Sequence, residues 1–138
     1  MRNITEIIIH CADTPIHMDI GVDQIREWHV GERGWNDVGY HYVIKRDGER
    51  EQGREDSIVG AHAMSHNANS LGICLIGGKS VDNHPEVNYT WNQWKALKDL
   101  CFNLRRTHTH AIIIGHNDVT TLKTCPNFNV KAWVEDLV

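Results

Sequence analysis

Ile4-Thr5-Glu6-Ile7-Ile8-Ile9-His10-Cys11 is the stretch on which the fold turns. The β-branched, apolar run from Ile4 to Ile9 reads as a buried strand that ends at His10-Cys11. Asp13-Thr14-Pro15 then breaks it. Three further stretches extend the sheet. Gly39 to Lys45 alternates Tyr40, Tyr42 and Ile44 against His41, Val43 and Lys45, which places Tyr40 and Tyr42 on one side of a strand and His41 on the other. Arg46-Asp47-Gly48-Glu49 is a hairpin turn signal, with Glu49 to Gly53 as a short return strand. Leu71 to Ile76 is another apolar strand, closed by Gly77-Gly78, and Ile112 to Ile114 is the last, ending at Gly115-His116.

Helical spacing appears between these runs. Val22, Ile25, Trp28 and His29 recur at helical intervals up to Gly34, a C-terminal stop. Thr90-Trp91-Asn92-Gln93 has the form of a capping box, and Trp94, Leu97, Cys101 and Leu104 continue along one face. Asn129 can cap a final helix with Val130, Trp133, Val134 and Leu137 turned inward. Residues 54–70 and 79–89 are polar and read mostly as loops. With no linker, repeat or low-complexity stretch, residues 1–138 form one α/β domain: a central mixed sheet of about five strands flanked by about three helices.

Composition narrows the function. A chain of 138 residues, 41% hydrophobic and 23% charged, has the make-up of an ordinary soluble domain. Its net charge of −4 and lack of a Lys/Arg block give no electrostatic reason to expect a nucleic-acid partner. No apolar run approaches the roughly 20 residues that span a bilayer. Met1 to His10 is too short and polar for a signal peptide, so synthesis in the cytoplasm and another route to any outside target are expected. Cys11, Cys74 and Cys101 read as buried reduced thiols.

The polar residues at the strand ends carry the chemistry. His10 ends the first strand and His116 the last, and Cys125 follows nine residues after His116, just before Pro126. Loops at strand ends of an α/β sheet are free to converge on a ligand. Two imidazoles and one thiolate suit zinc, and three protein ligands leave a fourth position open. Ten histidines offer many other choices, so spacing alone does not select this set.

A family resemblance does select it. The matching segments are 7–11, Ile25-Arg26-Glu27-Trp28-His29, Gly34-Trp35-Asn36-Asp37-Val38-Gly39-Tyr40-His41-Tyr42, 44–48, Gly60-Ala61-His62-Ala63, 69–75, Gly115-His116-Asn117-Asp118-Val119 and Lys123-Thr124-Cys125-Pro126. In that order they resemble the zinc-dependent N-acetylmuramoyl-L-alanine amidases, a family that includes the peptidoglycan recognition proteins, and most of all its phage lysozyme type. The resemblance implies one zinc ion on His10, His116 and Cys125, catalytic roles for Tyr40 and Lys123, and peptidoglycan or muropeptides as substrate. The loop from His116 to Cys125 is one residue longer than in the phage type and carries Thr120-Thr121-Leu122.

Other polar residues have competing readings. His62, in its Gly-Ala-His-Ala loop, is either a substrate contact or a loop histidine. His41 and His29 read as structural, and Asp118 as support for a ligand or a turn cap. Two further functions compete with hydrolysis. Recognition-only family members bind peptidoglycan without cutting it, but typically lack the cysteine ligand present here as Cys125. A structural zinc domain leaves Tyr40, Lys123 and the His62 loop unexplained. Action on the cell wall as a phage or prophage lysin is the expected setting, with a bacterial wall-recycling or secreted toxin enzyme as the alternative.

Overall fold

The computed structural model describes residues 2–137. Its element order is β1 (Glu6–Cys11), α1 (Val22–Arg26), β2 (Tyr42–Ile44), β3 (Arg50–Gln52), β4 (Ser70–Leu75), α2 (Trp91–Thr107), β5 (Ile112–Gly115), α3 (His116–Val119) and α4 (Val130–Asp136). The five strands form one sheet in the order β3-β2-β4-β1-β5. β2, β4, β1 and β5 run parallel, and only the edge hairpin partner β3 is antiparallel. The mixed α/β sheet read from the sequence is therefore present, with a fourth, one-turn helix (α3) that the hydrophobic pattern does not announce.

The apolar run of β1 is buried because it lies between two parallel neighbours and is covered on both faces. Ile7, Ile9, Leu71, Ile73 and Leu75 pack with Leu97, Leu100, Cys101 and Leu104 of α2 and with Val130 of α4. Val22 and Ile25 of α1 cover the other face, against Val38, Val43, Cys74 and Ile76. All four cysteines are free and buried, as expected for Cys11, Cys74 and Cys101.

Local signals hold where they rest on backbone hydrogen bonds. Thr90 accepts from the Gln93 amide at 3.1 Å, and the Gln93 side chain accepts from the Thr90 amide at 3.0 Å. Gln93 then donates from the same buried amide group to the carbonyls of Ile76 and Ile44, tying the start of α2 to the sheet. Asn129 accepts from the Ala132 amide and starts α4. Gly48 takes φ +90°, as the hairpin turn requires.

Two expectations need correction. The first helix is not regular to Gly34: after Arg26 it widens into a π-helical segment, Glu27–Glu32, in which the Arg33 amide reaches back five residues to the Trp28 carbonyl. Nor do Tyr40 and Tyr42 share a side. Regular pairing begins only at Tyr42, and the successive amides of Gly53 and Arg54 bond back to the carbonyls of His41 and Tyr40. The backbone is turned there, so Tyr42 joins the α2-side core while Tyr40 packs with the α1-side cluster.

Candidate active site

Parity and register bring His10 and His116 together. Ile8 and Ile114 lie in one cluster on the α1 side of the sheet, and residues two further along a strand face the same way. β1 pairs with β5 so that Ile9 stands beside Gly115. The next residues are His10, still in β1, and His116, the first residue of α3, neighbours at the sheet's C-terminal edge. Their ring centroids are 4.5 Å apart.

Cys125 comes from a loop and is pinned there. The Asn117 amide donates to the Cys125 carbonyl at 2.9 Å. The Asn117 side chain donates to the carbonyls of Thr124 and Phe128. The Cys11 amide donates to Cys125 Sγ at 3.0 Å. The ligating atoms of His10, His116 and Cys125 all lie within 4.8 Å of one another. Asp118 accepts from the Gly115 amide at 2.8 Å, so it caps the turn that starts α3.

These three residues sit at the base of an open cleft of ≈ 810 Å³. Tyr40, His62 and Lys123 also line it, so the structure brings these three together with the candidate ligands, whereas Asp118 and His41 do not line the cleft. Lys123 is exposed at the rim, and its charge acts on His116. The longer 116–125 loop has thus not carried Lys123 away from the site. Tyr40 stands 5.2 Å from His10, ring centroid to centroid. His62 Nδ1 is 2.8 Å from His10 Nε2, and His62 Nε2 is 3.1 Å from Ser70 Oγ.

Burial sets the protonation states. It holds His10 well below the ordinary imidazole range, with neighbouring His62 and His116 adding to the effect. Burial, then Lys123, lowers His116. His62 falls to about 3, again chiefly by burial. Both strand-end imidazoles are therefore neutral at pH 7, with a lone pair to offer. Contact with the Cys11 thiol, together with burial, pushes the Cys125 thiol up. Burial, then the thiols of Cys74, Cys125 and Cys11, raises the Tyr40 phenol well above its usual range.

One cleft wall went unread in the sequence. The π-helical segment and the turn after it contribute Trp28, His29, Glu32, Arg33 and Trp35. His29 is buried as expected. It also forms wall: its ring lies 4.5 Å from Trp35 and 5.6 Å from Tyr40, and Nδ1 accepts from the Gly39 amide at 2.8 Å. Burial and nearby Arg33 lower it to about 4. Asp13, at φ +56°, is a further lining residue whose carboxylate opposes the lowering of His116. The signals available were the ring-bearing residues Trp28, His29 and Trp35 and an acidic residue, Asp13, just past a strand end.

Comparison with known proteins agrees with this geometry. Residues 1–128 match the family described as N-acetylmuramoyl-L-alanine amidase. The endolysin of Klebsiella phage KP32 is 44% identical over 134 residues, covering 97% of this chain and 87% of the relative. The solved N-acetylmuramoyl-L-alanine amidase LysC from Clostridium intestinale URNW superposes with a TM-score of 0.81 at 29% identity, over 97% of this chain and 87% of that one. Wild-type Drosophila PGRP-LB superposes with a TM-score of 0.78 at 27% identity, over 97% of this chain and 81% of that one.

Proposed function

The chain belongs to the N-acetylmuramoyl-L-alanine amidase family, and from that premise we propose that zinc held by His10, His116 and Cys125 drives its reaction. The activity is hydrolysis of the amide bond between N-acetylmuramic acid and L-alanine of peptidoglycan, in the service of cell-wall lysis. The similarity to phage endolysins supports action at the cell wall. We read the setting as a phage or prophage lysin, made in the cytoplasm and acting after release or export. No described helix is long and apolar enough to cross a membrane.

The convergence of the three ligating atoms carries this reading. The donor set fits zinc: two neutral imidazoles and one sulfur, with the cleft left open on the fourth side. Their ligating atoms lie within 4.8 Å of one another, close enough that the three side chains would hold one ion between them. When bound, zinc supplies the electrophile that polarises a carbonyl and activates water near neutral pH.

The chain's own residues do the rest. The Cys11 amide, donating to Cys125 Sγ, favours the thiolate form of that ligand. Lys123, at the rim beside His116, offers its ammonium to the oxyanion that forms as the amide carbonyl becomes tetrahedral. Tyr40, whose phenol is held up by burial and by the neighbouring thiols in the metal-free protein, can donate a hydrogen bond to the same developing charge. The aromatic and cationic wall from Trp28 to Trp35 lies where it can flank the muropeptide. A recognition-only role is disfavoured because the complete donor set converges beside Tyr40 and Lys123.

Digestion of purified walls tests the reading. New L-alanine amino groups are expected without new reducing sugar ends, and chelation stops their release until zinc is restored. Release that persists in excess chelator, with no metal on the protein, rules the zinc reading out. New reducing ends without amino groups would mark a glycosidase.

A further inference from the structure

Both ring nitrogens of His62 are already spent inside the protein. Nδ1 lies 2.8 Å from His10 Nε2, and Nε2 lies 3.1 Å from Ser70 Oγ. A histidine meant to grip substrate would keep one nitrogen free for it. His62 instead bridges a proposed metal ligand to a fully buried serine.

The ring is caged in that position. Ser70, Gly72 and Cys74 fall on the cleft face of β4, and β1 pairs with β4 so that His10 stands beside Cys74. Gly72 lies between Ser70 and the level of His10, and the His62 ring lies over it. A Cβ on Gly72 would come within 2.6 Å of His62 Cγ and 2.7 Å of its Nδ1. A Cβ on Gly60 would come within 2.8 Å of His62 Cδ2. The His62 and Ala63 amides both donate to Asn67 Oδ1 at 2.9 Å, which fixes the backbone that carries the ring. Arg2 clamps the same loop by donating to the carbonyls of Asp56, Asn67 and Ser70. Glycine at 72, in an otherwise apolar strand, thus has a physical reason.

We infer that Ser70, acting through His62, supports the one tautomer of His10 that can serve a metal, and that Ser70 and Gly72 are positioning residues for the proposed metal centre. The inference rests on the ligand set proposed above. With a metal on His10 Nδ1 the proton count runs in one direction only. Each neutral ring carries one N–H. If His10 is to ligate through Nδ1, its proton must sit on Nε2 and be donated to His62 Nδ1. His62 then carries its own proton on Nε2 and donates it to Ser70 Oγ. The reverse order puts a proton on His10 Nδ1 and removes its free lone pair. A ligating histidine whose other nitrogen is held in this way gains both orientation and basicity.

The test uses the full chain and zinc alone as probe. Zinc affinity is measured by competition with a chromophoric chelator for wild type, Ser70→Ala, Ser70→Thr and Gly72→Ala. Ser70→Ala and Gly72→Ala are each expected to lose roughly tenfold to a hundredfold in affinity. Ser70→Thr, which keeps the hydroxyl, is expected to recover most of it. Melting of the metal-free protein should not track these losses. Independently, nitrogen-15 histidine spectra of zinc-loaded wild type should show His62 protonated on Nε2 and bare on Nδ1. That reading stands even if a variant fails to fold. Unchanged zinc affinity in Ser70→Ala, an equal loss in Ser70→Thr, or a proton on His62 Nδ1 overturns the inference while leaving the ligand set intact. Wild-type protein that takes up no zinc overturns both.

Discussion

On β1 and β4 the face turned to α2 carries Ile7, Ile9, Leu71, Ile73 and Leu75, whereas the face turned to the cleft carries Ile8, His10, Ser70, Gly72 and Cys74. The same two strands therefore serve two purposes at alternate residues. The first face is a continuous apolar surface, closed by α2 and α4, and it carries stability. The second tolerates an imidazole, a hydroxyl and a missing side chain because its job is to seat His10 and the ring of His62. A central strand buried on both sides can afford this only if every polar atom is satisfied. Among the described residues no buried side-chain nitrogen or oxygen lacks a partner.

This division can be broken from either side. The largest effect should come from Cys125→Ser, which replaces a thiolate with a far poorer soft ligand. Zinc affinity should fall on the order of 10³-fold or more, and wall hydrolysis should fall with it. Chelator competition reads the loss, and the apo protein should melt much as wild type does. Full zinc content in that variant would remove Cys125 from the ligand set. Next, Lys123→Ala should keep both zinc and fold yet lose roughly 10²- to 10³-fold in kcat. Tyr40→Phe should behave alike, since the phenol is read as a donor. Undiminished turnover in both variants would move the oxyanion contact to other residues.

The opposite face should respond in the opposite way. Ile73→Ala, on a fully buried side chain, should cost about 2–5 kcal/mol of unfolding free energy while the folded fraction binds zinc normally. Denaturant titration with and without zinc separates the two effects. A zinc affinity that fell in step with stability would mean the faces are not independent.

The smallest effect is a slope. In the metal-free protein the Cys125 thiol is pushed up by the Cys11 thiol and by burial, so it is protonated at neutral pH. His10 and His116 are lowered and already neutral. Zinc binding must then expel one proton, from Cys125. The metal-bound state holds fewer protons, so affinity rises with pH, by roughly tenfold per unit through the neutral range. A flat profile would contradict thiolate ligation.

Much of this was legible in the sequence, and the gaps have physical causes. The strand runs, the capping box at Thr90 and the cap at Asn129 follow from local hydrogen bonding and patterning, and they hold. His10 and His116 could be read because each closes an apolar run. Their register could not, since strands some hundred residues apart pair in parallel without any local mark. Alternation misplaced Tyr40 because regular pairing starts two residues later. The helical period ran through Trp28 and His29, but the five-residue step back from Arg33 has no signature in residue spacing. Ser70 reads as the end of the 54–70 loop although it opens β4, and the role of Gly72 could not be read because their partner His62 lies in a loop whose path only the fold reveals.

X-ray absorption at the zinc edge of the loaded wild-type protein tests the central claim most directly. The account predicts one zinc per chain, with one sulfur at about 2.3 Å, two imidazole nitrogens at about 2.0–2.1 Å and one further light atom in the open position. A first shell without sulfur, or protein that holds no stoichiometric zinc, would contradict it.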